Sequence, residues 1–217
     1  VSHEFQTPLS TLQAALELVA DEQEDLSAGE MRQLLKPAHM SLVGLKNLID
    51  NLLQSSSTEA GHFPMHKRSI ELGDVIEDVR RLVQPLLDRR NQPLHLPNAG
   101  DLPLLQADPA RLTQVLVNLL VNASKYSPAG TQIDLTVEVL QNSLRIAVAD
   151  RGPGIPPAER SNLFRRFVRM AHQSGEQAGV GLGLHVVKTI VEAHGGAVGV
   201  DGRANGGSVF WFTLPIL

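Results

Sequence analysis

A helical hairpin followed by a mixed α/β domain is the architecture that these 217 residues predict. Three observations carry it. Apolar residues recur at heptad spacing from Phe5 to Leu52. The stretch "SSSTEAGHFP", residues 55–64, interrupts that pattern with Ser, Gly and Pro. Beyond it, period-two runs alternate with longer runs of helical period.

The hairpin comes first. Phe5, Leu9, Leu12, Leu16 and Val19 form one narrow seam, and Leu35, Ala38, Leu42, Leu45, Ile49 and Leu52 resume it after the polar break "DEQEDLSAGE". Two helices with one seam bury little by themselves. A dimer of hairpins, forming a four-helix bundle, is the economical solution, and packing of the hairpin on its own second domain is the alternative. Pro37 is expected to bend the second helix. The linker places the division into residues 1–62 and 63–217.

In the second part, "SIEL" reads as a strand and "GDVIEDVRRLVQPLLDRR" as an amphipathic helix. "PLHLP" and "LPLLQAD" read as strands. "DPARLTQVLVNLLVNASKYS" is a helix opened by Asp108 as N-cap and Pro109 in the first turn. "TQIDLTVEVL" and "SLRIAVAD", parted by "QN", form a hairpin. "GLHVVKTIVEAHGG" is a helix closed by glycines, and "GAVGVDG" with "SVFWFTLPI" makes a last strand pair.

Composition narrows the function. Hydrophobic residues make up 42% of the chain and charged residues 19%, enough for a real core. The net charge of −4, with no Lys/Arg block, argues against nucleic acid as the main partner. The chain has no apolar run near ~20 residues and no signal-peptide pattern, so it is expected to be soluble, with membrane contact only through sequence outside it. The absence of cysteine excludes disulfides and thiolate metal sites and fits the cytoplasm. The chain opens inside a motif, so upstream sequence is expected.

Three stretches carry chemistry. "DRGPGIP" follows a strand and puts Gly152 and Gly154 where backbone turns sharply or meets a ligand. "GVGLGL" precedes a helix, so its N–H groups offer a phosphate site, yet its glycines match neither the dinucleotide fingerprint nor a P-loop. On the helix between, Asn118, Asn122 and Lys125 fall at i, i+4 and i+7, on one face. Amide oxygens can ligate a hard cation such as Mg2+, and lysine can pair with phosphate; a solvent-facing polar stripe is the plainer alternative.

These stretches, with "LFRRFVR", resemble in order and spacing the N box, the F box and the two G boxes of sensor histidine kinases, and "SHEFQTPLS" resembles their H box. The resemblance covers essentially the whole chain. It implies a dimerisation and phosphoacceptor domain followed by an α/β sandwich of the Bergerat ATP-binding type, with ATP and Mg2+ as ligands. Carried over, Asn122 is the Mg2+ ligand with Asn118 beside it, Lys125 a phosphate contact and Tyr126 a wall of the nucleotide site. Asp150 accepts a hydrogen bond from the adenine amino group. Gly152 and Gly154 line the base, while Gly179, Gly181 and Gly183 cradle the phosphates. "MAHQSGEQA" is then a mobile lid with Phe164 and Phe167 at its base, and Arg169 reaches the γ-phosphate.

The opening stretch admits two local readings. Thr7 and Pro8 make a good helix start, which would leave His3 on a loose arm. The seam, however, begins at Phe5, before the proline, so the helix can equally pass through it. Given the resemblance, His3 is the phosphoacceptor, Glu4 its proton partner, and Thr7 the residue that positions a water against the partner's phospho-aspartate. The usual basic and Leu residues of the family's H box are replaced here by Gln6 and Phe5. The implied partners are a homodimeric second copy and the receiver domain of a response regulator. His194 is expected to cap its helix or serve its dipole, and no metal cluster is expected from the remaining histidines. An ATPase of another Bergerat branch and a non-catalytic regulator-binding module are the competing functions.

Overall fold

The computed structural model describes residues 2–21, 65–98, 102–168, 182–204 and 206–216, and between the first two ranges the single helical positions Gly29, Met31, Leu35, Ala38, Leu42 and Leu45. Helix α1 (Ser2–Asp21) runs without a break through Thr7 and Pro8. Of the two local readings, the helix therefore passes through His3. Its described side chains begin at Leu9, and Ala15 is buried, as is Ala38 farther on. Pro37 and the linker lie outside the described residues.

The α/β domain starts with β1 (Arg68–Glu71) and α2 (Leu72–Arg89), followed by β2 (Leu94–His95), β3 (Leu104–Ala107) and α3 (Pro109–Tyr126). Then come β4 (Ile133–Val139), β5 (Ser143–Ala149), a one-turn α4 (Pro157–Arg160), α5 (Gly183–Ala193), β6 (Val198–Gly202) and β7 (Ser208–Pro215). The main sheet has the order β2-β4-β5-β7-β6; only the β2–β4 pair is parallel. β1 and β3 form a separate antiparallel pair.

The alternation in the strands makes one face of this sheet apolar. Leu135 stands opposite Val148, Ile146 opposite Phe212, and Val148 opposite Phe210. Helices α2, α3 and α5 each turn a matching stripe inward: Val75, Val79 and Val83 on α2, Leu112, Leu116 and Leu119 on α3, and Val187 and Val191 on α5. One continuous core runs from Ile70 to Leu214. Burying each such side chain is worth about 1.5–3 kcal/mol, so this layer contact is the main stabilising term of the domain. On the opposite face, Trp211 lies flat on Gly199, where a Cβ would come within 2.2 Å of the indole ring. The Arg145 guanidinium stacks over that indole at 4.7 Å and pairs with Asp201 at 2.8 Å.

Buried polar bonds fix α3 at its first turn. Oδ1 of Asp108 accepts from the amides of Ala110 and Arg111, and its Oδ2 accepts from the His66 amide at 2.9 Å. Burial opposes ionisation of this carboxyl, but the three backbone donors and Arg111 outweigh it and hold its pKa below the usual value. The Asp108 amide in turn donates to Nε2 of His194 at 3.0 Å, while Nδ1 of that ring lies 2.8 Å from the Ile190 carbonyl. Nδ1 therefore carries the proton and caps the end of α5, and Nε2 must stay unprotonated to accept. The cap expected of His194 is present; a dipole role, which needs a cation, is not. Burial is the main cause pushing its pKa down.

His194 is 5% exposed, so its titration bears on folding. Its folded pKa lies below the unfolded value near 6.5. The stability that the neutral ring contributes is therefore complete above about pH 6.5 and is lost as pH falls through the folded pKa. His185, also depressed chiefly by burial, acts in the same direction. The thermal midpoint is expected to drop between pH 7.5 and 5.5, with a slope of at most about 1.4 kcal/mol per pH unit for each proton. His194→Gln, which keeps an acceptor without a titration, should flatten that slope in thermal melts followed by circular dichroism.

Candidate functional site

The residues singled out on α3 stand on its last two turns. Asn118, Asn122 and Lys125 fall on one side of the helix, and Lys125 Nζ lies 5.1 Å from the centroid of the Tyr126 ring. Asn118 Nδ2 is buried, and no acceptor among the described residues meets it. Leaving such a group dry costs about 1–3 kcal/mol, so the Asn118 amide stands available to a ligand's acceptor. Its own Oδ1 lies 3.8 Å from the place that a Cβ on Gly183 would take, at the first residue of α5. Leu182, the N-cap of that helix, offers its first N–H groups no side-chain acceptor, and a helix N-terminus favours an anion.

Asp150 ends β5 at 4% exposure. Its Oδ1 accepts from the Gly152 amide at 2.7 Å and the Ser208 amide at 3.1 Å. Both bonds fall on one oxygen, which leaves Oδ2 as the acceptor for a ligand. Burial pushes its pKa up; the two amides and the nearby Arg203 act in the opposite direction but are outweighed. The close fit around it demands glycine twice. A Cβ on Gly152 would lie 2.8 Å from the Tyr126 carbonyl oxygen, and one on Gly207, at φ +99, would lie 2.2 Å from the Asp150 carbonyl oxygen. The end of α3, the loop after β5 and the turn before β7 thus touch through bare backbone.

Two charged side chains clamp the same loop. Asp134 Oδ2 takes Arg151 at 3.3 Å and Arg203 at 3.2 Å, and Arg151 also donates to the Gln132 carbonyl. The Arg151 amide donates to Ser127 Oγ at 3.1 Å. No short-range spacing announces these contacts, and the sequence reading missed Asp134, Arg151, Arg203 and Ser127. Gly154 is placed at φ +80 beside Gly207, on the wall of a cleft of about 620 Å3 that Ile155, Pro156 and Arg160 also line.

Phe164 is buried edge-on to Phe210, with its carbonyl 3.3 Å from His185 Nδ1. Phe167 is 48% exposed with φ +59, and the lid that it is expected to anchor lies outside the described residues. Arg169, Gly179 and Gly181 lie outside the described residues. His3, Glu4 and Thr7 sit on the first two turns of α1, with side chains outside those described. Among the described residues, no group of three His, Cys, Asp or Glu is arranged to hold a metal.

The amides Asn118 and Asn122 fit a metal only in company. They are neutral oxygen donors, and among the described residues no cluster of three His, Cys, Asp or Glu accompanies them, so a hard cation there needs anionic oxygens from a bound ligand. The orphaned Asn118 amide and the uncapped α5 are consistent with a ligand that carries such oxygens.

Comparison with known proteins agrees with this geometry. Residues 1–61 match the family described as the His Kinase A (phospho-acceptor) domain, and residues 107–217 match the histidine kinase-, DNA gyrase B- and HSP90-like ATPases. The adaptive-response sensory kinase SasA of Synechococcus sp. is 32% identical over 99% of this chain, which spans 57% of that protein. The sensor protein KdpD of Escherichia coli is 31% identical over 99% of the chain, which spans 24% of it. The solved structure of full-length ShkA in complex with AMPPNP is 30% identical, with a TM-score of 0.72 over 99% of this chain and 44% of that one. An α/β domain of the histidine kinase ATPase type, joined in one chain to a phospho-acceptor helix, places this protein in the sensor histidine kinase family.

Proposed function

We propose that the chain is a histidine kinase core in which residues 1–62 dimerise and accept phosphate at His3, and residues 63–217 bind Mg·ATP. The observation that carries this reading is the buried, unpartnered Asn118 amide beside the open N-terminus of α5. It marks a place that a triphosphate fits, in a chain whose first helix bears His3. The AMPPNP bound to ShkA supports the same reading.

In this scheme Asp150 Oδ2 accepts from the adenine amino group. An ionised carboxylate only accepts, so it selects an exocyclic amine over a carbonyl. Gly152 and Gly154 line the base, and Tyr126 walls the site. Lys125, the α5 N-terminus and Gly179, Gly181 and Gly183 hold the phosphates. Asn122, beside Asn118, supplies an amide oxygen to Mg2+, which neutralises triphosphate charge. A ring nitrogen of His3 attacks the γ-phosphorus in line; the bond to the β,γ-bridging oxygen breaks, ADP leaves, and Glu4 takes the ring proton. Arg169 stabilises charge on the transferring group. The phosphoryl group then passes from His3 to a carboxylate oxygen of an Asp on a response-regulator receiver domain. Thr7 orients a water for the reverse task of clearing that phospho-aspartate.

Assembly as a homodimer is supported by Leu9 and Leu16, which a single chain leaves 50% and 63% exposed on α1. The reading places this piece in the cytoplasm, with membrane contact only through sequence outside it. Among the described residues, no helix is long and apolar enough to cross a membrane.

Incubation with γ-labelled ATP and Mg2+ tests the proposal. The label should be lost in acid and survive base, as a phosphoramidate does. His3→Gln should abolish incorporation while Mg·ATP affinity stays at the wild-type level; acid-stable label would exclude His3 as the acceptor.

A second expectation concerns the base. Asp150→Asn keeps an oxygen for the Gly152 and Ser208 amides but turns Oδ2 into a donor. ATP affinity should then fall by roughly 10- to 100-fold, the worth of one hydrogen bond to a charged group. In the wild type, affinity should weaken on acidification, starting at a higher pH than for an ordinary carboxylate because burial raises this pKa. Calorimetric titrations of ATP across pH check both points.

A further inference from the structure

Gln92 is a polar side chain only 2% exposed, and it stands outside every motif described above. Glutamine is seldom fully buried unless its amide is satisfied. Here α2 ends at Arg89, and Asn91 adopts φ +50, a left-handed conformation that asparagine tolerates. The turn sends Gln92 inward beneath the end of α3. Its Nε2 donates to the carbonyls of Ser124 at 3.1 Å and Pro128 at 3.0 Å, with Ser127 at 3.4 Å. Its Oε1 accepts from the hydroxyl of the fully buried Ser124 at 2.6 Å. The adjoining Arg90 donates to the Ser127 carbonyl at 3.0 Å, and its own carbonyl takes the Gly130 amide at 2.9 Å.

The carbonyls at and just beyond the last turn of a helix lack intrahelical partners. At α3 Gln92 reaches three of them from another segment, and Arg90 shares the one on Ser127. A leucine would fill the space, but it would leave the Ser124 carbonyl without its donor and the rotation of the turn unspecified, while Arg90 and Thr131 kept the carbonyls of Ser127 and Pro128. The turn so held carries Asn122, Lys125 and Tyr126. Its continuation, Ser127, takes the Arg151 amide of the loop after Asp150.

We propose that Gln92 is a positioning residue for the Mg·ATP site, fixing through Ser124 the last turn of α3 and with it the phosphate-side contacts. The inference rests on the proposed function. Gln92 touches no ligand itself; it acts through backbone carbonyls 32 and 36 residues along the chain.

The test compares Gln92→Met and Ser124→Ala with wild type and with Asn122→Ala, in the whole chain. Amide hydrogen exchange on the nucleotide-free protein and the Mg·ATP Kd by calorimetry are measured well below the melting temperature. Exchange should accelerate selectively at residues 122–127. The Kd should rise about tenfold in Gln92→Met and about threefold in Ser124→Ala, magnitudes typical of a small misplacement of binding groups. The rate of label transfer at saturating ATP should change less than KM. Should Gln92→Met not fold, Ser124→Ala decides alone. A wild-type Kd and exchange pattern in the folded variants, with affinity lost in Asn122→Ala, would overturn the inference and leave the function standing. A wild-type chain without Mg·ATP affinity would overturn both.

Discussion

Helix α3 cannot slide or turn, and the α/β domain is arranged around that constraint. At its start the Asp108 carboxylate gathers three backbone amides while the Asp108 amide bonds to His194. At its end Gln92 bonds to the carbonyls of Ser124 and Pro128, and Arg90 to that of Ser127. Between these anchors the apolar face of α3 packs on α2, α5 and the sheet. Apolar burial supplies most of the energy but little direction, since Leu and Val stripes can shift past one another at small cost. The buried hydrogen bonds cost much to break and so select one register. A site assembled from α3, the loop after β5 and the start of α5 needs that register more than it needs extra stability.

Two carboxylates show how one fold sets opposite proton affinities. Asp108 opens a helix and collects three amide donors, which win over burial, and its pKa falls. Asp150 lies deeper and collects two amides on one oxygen; burial wins, and its pKa rises. The first suits a structural anchor that stays charged across the physiological range. The second leaves one oxygen uncommitted in a place of low polarity, where a hydrogen bond to a ligand counts for more than it would in water. Asp134, between Arg151 and Arg203, supplies the ionic clamp that keeps the Asp150 loop against the turn before β7.

Much of this was legible in the chain. Period 3.6 located α2, α3 and α5, and period two located β4 and β5, each within about three residues, because their apolar faces are long. "PLHLP" shrank to the two-residue β2, since prolines on both sides cannot donate to a ladder. The four residues of α4 are too few to show any period. Asn118, Asn122 and Lys125 could be read because a helix brings neighbours in sequence to one face. Gln92, Asp134 and His194 could not, because the partners Ser124, Arg203 and Asp108 lie 32, 69 and 86 residues away from them, and no local spacing records such a meeting. His194 could be read only as a helix end. Its second bond, to Asp108, needed the tertiary fold.

The chain has a single tryptophan, and its surroundings give that residue a separate use. Trp211 lies on Gly199, beneath the Arg145 cation, with its indole nitrogen buried and unpaired. Its emission is therefore set by contacts among β5, β6 and β7. Intrinsic fluorescence excited at the indole band becomes an optical label for one part of the molecule, supplied by the chain itself. Loss of the sheet would release the ring from its cationic lid into water and change its colour and intensity together. Set beside far-ultraviolet dichroism, which sees every helix, the two spectra can tell whether the phosphoacceptor helix and the ATPase domain come apart as one unit or in succession.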